Sequence, residues 1–192
     1  MADDDGHHGH GADRPGHDDE HDHDGHHRHD KSTLGVAVVT VSTSRTVDDD
    51  PSGDYVVSAV EDAGHQVVVR ELVGDDYDGV QGIVDRLVRR DDVDLVVTTG
   101  GTGVTPDDVT VEAVRPLFER ELPGFGELFR RLSYEEIGAR VVATRATAGL
   151  DEGVLVCCLP GSEAAVRLGV DDIVLPVAPH LAGLVQRDES EE

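Results

Sequence analysis

Apolar runs and amphipathic stretches alternate regularly between residues 33 and 187, and this alternation predicts a series of strands and helices. The run LGVAVVTVS from Leu34 is continuously β-branched, which is typical of a strand covered on both faces, and QVVVRELV from Gln66 and VDLVVTTG from Val93 predict the second and third strands. Apolar residues at helical spacing follow the first two runs, in DDDPSGDYVVSAVEDAGH, which Gly64 should end, and in YDGVQGIVDRLVRR. This β-α-β-α-β order predicts right-handed crossovers and a largely parallel sheet.

The second half of the chain predicts two further strands between helical segments. Thr110 is the predicted N-cap of VEAVRPLFERE, which Pro116 should kink, and FGELFRRLSYEEIG predicts another helix. The runs RVVATRATAGL and GVLVCCL are separated by a short turn at residues 151–153, so one of the two strands should run antiparallel. The last stretch, EAAVRLGVDDIVLPVAPHLAGLVQ, predicts a helix, a break and a second helix.

The composition adds an extreme charge to this picture. The formal net charge is −25, and the first 31 residues contain ten acidic residues and nine histidines among glycines. Because residues 1–32 have no apolar periodicity, we expect them to be disordered, and residues 188–192 to form a short acidic tail. The acidic surface repels nucleic-acid phosphates, which argues against DNA or RNA binding. Hydrated carboxylates with Lys31 as the sole lysine favour a cytoplasm kept at high salt, as in halophilic archaea.

Location and cysteine usage follow from the same sequence. No apolar run approaches the length needed to span a bilayer, and no secretory signal is present, so we expect a cytoplasmic protein without membrane contact. Cys157 and Cys158 are adjacent, which makes a disulfide between them improbable, and neither has a CxxC partner for zinc. Both are expected to be small apolar residues on a buried strand.

Four polar loops follow strands, where open α/β sheets bind ligands: residues 42–50, 74–78, 100–108 and 160–162. The loop TTGGTGVTPDD is neither a phosphate-binding GK[ST] loop nor a dinucleotide fingerprint. Its glycine amides can still present N–H groups to an anion, and Thr102 adds a hydroxyl donor. The alternative is a tight turn that binds nothing.

Two aspartates in these loops are candidates for a divalent cation. An acidic protein repels a phosphate-rich ligand unless a cation lies between them, and Asp75 and Asp108 could ligate hydrated Mg²⁺. Structural alternatives exist for both residues. Asp75 could simply begin the following helix, and Asp108 could close a Thr-Pro-x-Asp turn.

Five motifs resemble one known family. SRTVDDDPSG, TTGGTGVTPDDVT, ELPGFGELFR, LSYEEIG and LPGSEAAVR resemble, in this order, the molybdenum cofactor biosynthesis protein B / molybdopterin adenylyltransferase family, over residues 34–184. The first and fourth motifs look more like the B branch. The resemblance implies a three-layer α/β/α sandwich, a homotrimer or hexamer, and hand-over of product to a molybdate-insertion enzyme. It also implies transfer of AMP from Mg·ATP to the terminal phosphate of molybdopterin, with release of pyrophosphate.

The resemblance also assigns site residues. Asp75 and Asp108 match the aspartates implicated in catalysis with the metal. The positions that match ligand-binding loops are Ser42, Gly100, Gly101, Thr102, Gly103, Gly161 and Ser162. Arg45 and Arg145 are candidate phosphate partners, and pairing with nearby acids is the alternative for both arginines.

Two rival functions remain open. The same pocket would serve a non-catalytic protein that holds molybdopterin for a partner enzyme, although retention of Asp75 favours activity. The histidine-rich segment could instead handle Ni²⁺, Cu²⁺ or Zn²⁺, or be a solvated extension that binds metal incidentally.

Overall fold

The structure, a computed structural model, describes residues 30–190, and their side chains up to residue 185. Of residues 1–32, for which the sequence predicts disorder, the first 29 lie outside the described residues. Lys31 lies against the domain, because its backbone amide donates to the Pro179 carbonyl and its ammonium group lies 2.7 Å from Asp94. At the other end, the last helix continues to Ser190, beyond the predicted boundary at residue 187.

Six strands and six α-helices form the domain. The strands are β1 (Gly35–Val41), β2 (Gln66–Val73), β3 (Leu95–Thr99), β4 (Arg120–Glu121), β5 (Thr147–Asp151) and β6 (Val154–Leu159). The helices are α1 (Pro51–Asp62), α2 (Tyr77–Val88), α3 (Thr110–Val114), α4 (Pro123–Ile137), α5 (Glu163–Gly169) and α6 (Leu175–Ser190). Short 3₁₀ segments follow α3 and α4, at Arg115–Leu117 and Gly138–Ala143.

The six strands form one sheet in the order β2-β1-β3-β6-β5-β4. Strands β1, β2, β3 and β6 are parallel, and β5 is antiparallel to both of its neighbours. One strand thus runs against the others, as the sequence predicts. Between β5 and β6 the chain turns at Glu152 and Gly153, which both have positive φ, the geometry of a two-residue hairpin.

Both faces of the sheet are covered, which confirms the three-layer α/β/α sandwich. On one face, Val36 and Val38 of β1 share a core with residues of α1, α4, α5 and α6. On the other face, Ala37 and Val39 pack with α2 and α3. Alternate residues of one strand serve opposite cores, which explains why β1 is a continuous apolar run.

Four features differ from the sequence predictions. Strand β4 was not predicted, and the strand expected over RVVATRATAGL begins only at Thr147, because 3₁₀ structure occupies its first residues. Thr110 is the first residue of α3 and not its N-cap; its hydroxyl donates to the Gly100 carbonyl at 2.9 Å. The break predicted between the last two helices is a π-helical segment, Val170–Val174, that keeps the chain helical.

The helical stretch Glu163–Val185 is long and apolar enough to cross a membrane, which corrects the expectation that no segment is. Within this stretch, however, Val166, Val170, Ile173 and Ala178 are buried in the core against the sheet. The apolar character of the stretch is therefore accounted for by packing inside the domain. Cys157 and Cys158 are free and buried on β6, as predicted.

Candidate functional site

The loops after β2, β1, β3 and β6 lie side by side at one edge of the sheet, because their strands are neighbours in this order. Backbone hydrogen bonds join them in pairs. The Ser42 amide donates to the Val73 carbonyl at 2.9 Å, and the Gly100 amide donates to the Leu159 carbonyl at 3.0 Å. The convergence expected from topology is therefore present.

Glycine is required where these loops meet. Gly100 has a φ of +100°, and a Cβ atom at this position would collide with the Val41 carbonyl oxygen. A Cβ atom on Gly161 would lie 3.1 Å from the Gly100 Cα. Part of the glycine content thus serves close packing between loops, which partly supports the tight-turn alternative.

Four backbone amides in these loops nevertheless keep free N–H groups. Within residues 30–190, no hydrogen bond is donated by the amides of Gly101, Thr102, Gly161 or Ser162. The Thr102 side chain is buried, at 2% exposure, so this part of the loop is held in place by its surroundings. Consecutive free amides on two adjacent loops form a suitable cradle for an anion.

Asp75 joins the loop after β2 to the loop after β1. Its Oδ2 accepts hydrogen bonds from the backbone amide and the hydroxyl of Thr43, both at 2.7 Å. The N-cap of α2 is Asp76, whose side chain accepts from the Gly79 amide. The alternative that Asp75 begins this helix is therefore wrong, and Asp75 keeps its Oδ1 without a hydrogen bond inside the described part of the chain.

Asp108 closes the Thr-Pro-x-Asp turn that the sequence analysis gave as the alternative to a metal-binding role. Its Oδ2 accepts from the Thr105 amide at 2.8 Å and from the Thr105 hydroxyl at 2.6 Å. Partial burial raises the pKa of this carboxyl, but the bonds from Thr105 and Gly103 and the charge of Arg145 outweigh burial and hold the pKa below its ordinary value. Asp108 is thus a stable anion, and both hydrogen bonds from Thr105 end on its Oδ2.

Asp75 and Asp108 do not lie on neighbouring strands. They follow β2 and β3, and β1 lies between these strands in the sheet, so the strand ends are about 10 Å apart. Over the described residues there is also no cluster of three or more His, Cys, Asp or Glu side chains that could hold a metal. A cation shared by both aspartates would need water or phosphate oxygens between them.

Arg145 stabilises the glycine loop by hydrogen bonds to its backbone. Its guanidinium donates to the Gly103 carbonyl at 2.6 Å and to the Asp108 carbonyl at 2.9 Å, and it forms an ion pair with Glu112. Its backbone amide donates to the Thr102 carbonyl. These contacts occupy the guanidinium, so the structure favours a positioning role over direct phosphate binding.

Arg45 has a comparable role around Asp50. Its guanidinium donates to Asp50 at 3.1 Å and to the Gly161 carbonyl at 3.0 Å, which ties the loop after β1 to the loop after β6. The Ser52 hydroxyl donates to the same carbonyl at 2.9 Å. Arg45 therefore pairs with a nearby acid, as the alternative to phosphate binding predicts, and it also links the loop after β1 to the loop after β6.

Asp50 is a residue whose role the sequence analysis missed. It is 1% exposed, caps α1 through the Gly53 amide, accepts the Thr40 hydroxyl at 2.5 Å and pairs with Arg45 and Arg70. Burial raises the pKa of Asp50, but these hydrogen bonds and charges together lower it below the ordinary value. The signal was present in the sequence, because Asp followed by Pro at a helix start is typical of an N-cap.

The two serines of the predicted site differ in their side-chain contacts. The Ser42 hydroxyl accepts from the Arg45 amide at 3.2 Å and the Ser44 amide at 3.3 Å. Ser162 is the N-cap residue of α5, although its side chain makes no capping hydrogen bond. Its hydroxyl lies beside the free amides and remains available to a ligand.

Comparison with known proteins agrees with this geometry. Residues 37–180 match the family model described as a probable molybdopterin binding domain. The chain is 42% identical over 153 residues to molybdenum cofactor biosynthesis protein B of Bacillus subtilis, covering 79% of this chain and 90% of that protein. A crystal structure of a molybdenum cofactor biosynthesis protein B has a TM-score of 0.79 at 40% identity, over 81% of this chain and 97% of the other. The tungsten cofactor synthesizing protein MoaB from Pyrococcus furiosus has a TM-score of 0.69 at 39% identity, over 78% and 94%.

Proposed function

The chain belongs to the molybdenum cofactor biosynthesis protein B family, with its molybdopterin-binding domain, and from this membership we propose that it adenylylates molybdopterin with Mg·ATP. The observation that carries the proposal is the pair of amide-presenting loops at the sheet edge. The free N–H groups of Gly101, Thr102, Gly161 and Ser162 can bind phosphate oxygens without a lysine, which this edge of an acidic protein lacks.

Asp75 and Asp108 have the chemistry that a Mg²⁺ ion requires. The Oδ2 of each carboxylate accepts both donors of one threonine, and the Oδ1 of Asp75 has no hydrogen bond inside the described range. Mg²⁺ binds to one or two carboxylates and fills its other positions with water and phosphate oxygens. When bound there, Mg²⁺ would neutralise phosphate charge close to the two aspartates.

The proposed reaction is an in-line transfer. An oxygen of the molybdopterin terminal phosphate attacks the α-phosphorus of ATP, a new phosphoanhydride bond forms, and the bond to the β-phosphate oxygen breaks to release pyrophosphate. The loop amides orient the phosphates, while Arg145 and Arg45 hold the loops through the carbonyls of Gly103 and Gly161. Catalysis then depends on positioning and charge neutralisation, without a covalent enzyme intermediate.

The deciding experiment mixes the purified protein with molybdopterin and Mg·ATP and measures pyrophosphate release and the adenylylated product. We expect Asp75→Asn and Asp108→Asn each to lower turnover by about 100-fold or more while the melting temperature changes little, because both residues lie in loops outside the core. Asp107→Asn is the matched control, since Asp107 is exposed beside Asp108. Near wild-type turnover of either variant at saturating Mg²⁺ would refute its assigned role.

A non-catalytic molybdopterin-binding protein is the second candidate function. The threonine bonds of Asp75 and Asp108 favour it, because both carboxylates already stabilise loop structure. In this case molybdopterin would bind, no pyrophosphate would appear, and both asparagine variants would lose stability before they lost binding.

We also place the protein in the cytoplasm, as a homotrimer or hexamer that passes its product to a molybdate-insertion enzyme. An apolar groove of about 590 Å³ between α4 and α6, with the exposed Leu128 on its wall, supports association between copies. Light scattering in high salt measures the oligomeric state directly.

A further inference from the structure

A polar cavity lies next to the glycine loop, residues 100–108. It has a volume of about 300 Å³ and is bounded by α3, α4 and the chain entering β5. Arg145 belongs to its wall and also holds the glycine loop through Gly103, so the cavity and the candidate site share one side chain. We call it the Arg130 cavity, after the side chain that distinguishes it.

Arg130 differs from the other two arginines that line this cavity. Arg115 is paired with Glu121 and Arg145 with Glu112, whereas Arg130 has no ion pair or hydrogen bond to any residue between 30 and 190. Arg130 as a residue is half-buried, and its guanidinium folds back over its own helix, where a Cβ atom on Gly126 would lie 3.0 Å from Nη1.

This lack of a partner is unusual in so acidic a chain. The other unpaired arginines of the described range, Arg120, Arg131 and Arg140, are all exposed, where water solvates the charge. Arg130 is more buried than these three arginines and has no carboxylate partner in the described range. Its five N–H donors therefore remain available to an acceptor that enters the cavity.

Two threonine hydroxyls add to the donors. The Thr144 hydroxyl oxygen is buried and has no hydrogen-bond partner, which is costly for a polar group. Rotation about its Cα–Cβ bond exchanges the hydroxyl and methyl positions and so changes which of the two groups faces the cavity. The Thr147 hydroxyl has one weak bond, at 3.5 Å to Glu121. Three glutamates also line the cavity: Glu112 and Glu121 are paired with Arg145 and Arg115, and Glu127 is exposed at the rim, where water screens its charge.

We propose that the Arg130 cavity binds a phosphate group. Guanidinium groups bind phosphate through two parallel N–H···O bonds, and hydroxyls supply the further donors that phosphate oxygens accept. The group could be the monoester phosphate of the substrate or the pyrophosphate that leaves. This assignment to the reaction rests on the proposed function, whereas phosphate binding by the cavity does not.

The test measures phosphate binding without ATP or Mg²⁺, so that its result is independent of turnover. Phenyl phosphate and inorganic pyrophosphate are titrated separately into the full-length protein, into Arg130→Gln and into the matched control Arg131→Gln, which removes an exposed arginine from the same helix. Affinity comes from calorimetry, and the site comes from the Nε–H resonances of arginine side chains in NMR spectra.

We expect Arg130→Gln to weaken binding of at least one probe by tenfold or more, with a saturable shift of the Arg130 resonance in the wild type and no change for Arg131→Gln. A loss confined to phenyl phosphate assigns the cavity to the substrate monoester, and a loss confined to pyrophosphate assigns it to the leaving group. Equal affinities of Arg130→Gln and wild type for both probes would overturn the proposal. Absence of pyrophosphate release with molybdopterin and Mg·ATP would refute the proposed function and leave phosphate binding intact.

Discussion

Replacing Asp50 by asparagine tests how the loops of the site are held. The carboxylate accepts the Thr40 hydroxyl and the Gly53 amide and pairs with Arg45 and Arg70 at 3.1 and 3.5 Å. Asparagine has nearly the same shape but no charge. The variant therefore removes the charge interactions and leaves Arg45 without its carboxylate partner, while Arg70 keeps its ion pair with Asp54 at 2.6 Å.

The magnitude follows from burial. Removing one partner of a fully buried ion pair costs about 3–5 kcal/mol, because the other charge stays buried alone. Here the side chains of Arg45 and Arg70 are 29% and 25% exposed, while that of Asp50 is 2% exposed, so water compensates part of the loss. We expect a loss of about 2–3 kcal/mol in the free energy of unfolding. For a chain of this size such a loss lowers the melting temperature by about 4–12 °C.

The pH dependence separates this cause from simple packing. The pKa of Asp50 lies below its ordinary value in the folded state, so its carboxylate stabilises the fold fully above the unfolded pKa of about 4. This contribution is lost as the pH falls through the folded pKa. The difference in stability between wild type and Asp50→Asn should thus be complete at pH 7 and shrink below about pH 4.

Thermal and urea unfolding at fixed KCl between pH 7 and pH 3 measure this difference. A melting temperature within one degree of wild type at pH 7 would refute the reasoning. So would a difference that stays constant down to pH 3, because a packing defect has no such pH dependence.

Three further predictions concern charge. Asp151 is 7% exposed, and burial together with Glu152 and Glu119 raises its pKa, so its ionisation destabilises the fold increasingly as the pH rises from about 4 through the folded pKa. Asp151→Asn should therefore stabilise the protein by about 0.5–2 kcal/mol at neutral pH, a gain that vanishes in acid. An unfolding free energy without this gain at pH 7 would contradict the prediction. Because the Debye length falls from about 30 Å at 0.01 M salt to about 3 Å at 1 M, the melting temperature and the assembled fraction should rise with KCl for a chain of charge −25, and a flat response would exclude the halophilic interpretation. Calorimetry in molar KCl should give tight ATP binding with Mg²⁺ and weak binding with EDTA, whereas equal affinities would exclude a cation between Asp75, Asp108 and the phosphates.

The sequence by itself determined the order of the elements. Strand β2 occupies the predicted run from Gln66 to Val73, and the helical spacing of α2 matches its buried face. The prediction of β2 succeeds because its β-branched residues favour an extended backbone, and that of α2 succeeds because a helix on a sheet must be apolar on one side. The same regularity located the four loops, since the carboxyl ends of parallel strands meet at one edge.

Local irregularities depended on tertiary contacts. Strand β4 has two residues and exists because it pairs with β5, and its own sequence, Arg120 and Glu121, has no strand pattern. The π-helical segment between α5 and α6 replaced a predicted break because Val170 and Ile173 pack into the core. In both cases a neighbour distant in sequence supplied the stabilising contact.

The roles of the charged side chains were decided only by the tertiary structure. The sequence made Arg45 and Arg145 candidates either for phosphate binding or for pairing with nearby acids, and their guanidinium groups also bind the carbonyls of Gly161 and Gly103, which are 116 and 42 residues away. Conversely, Arg130 has the same chemistry and no partner in residues 30–190. Spacing along a chain fixes which face a residue occupies, but a long charged side chain takes whichever partner the folded backbone brings within hydrogen-bonding distance.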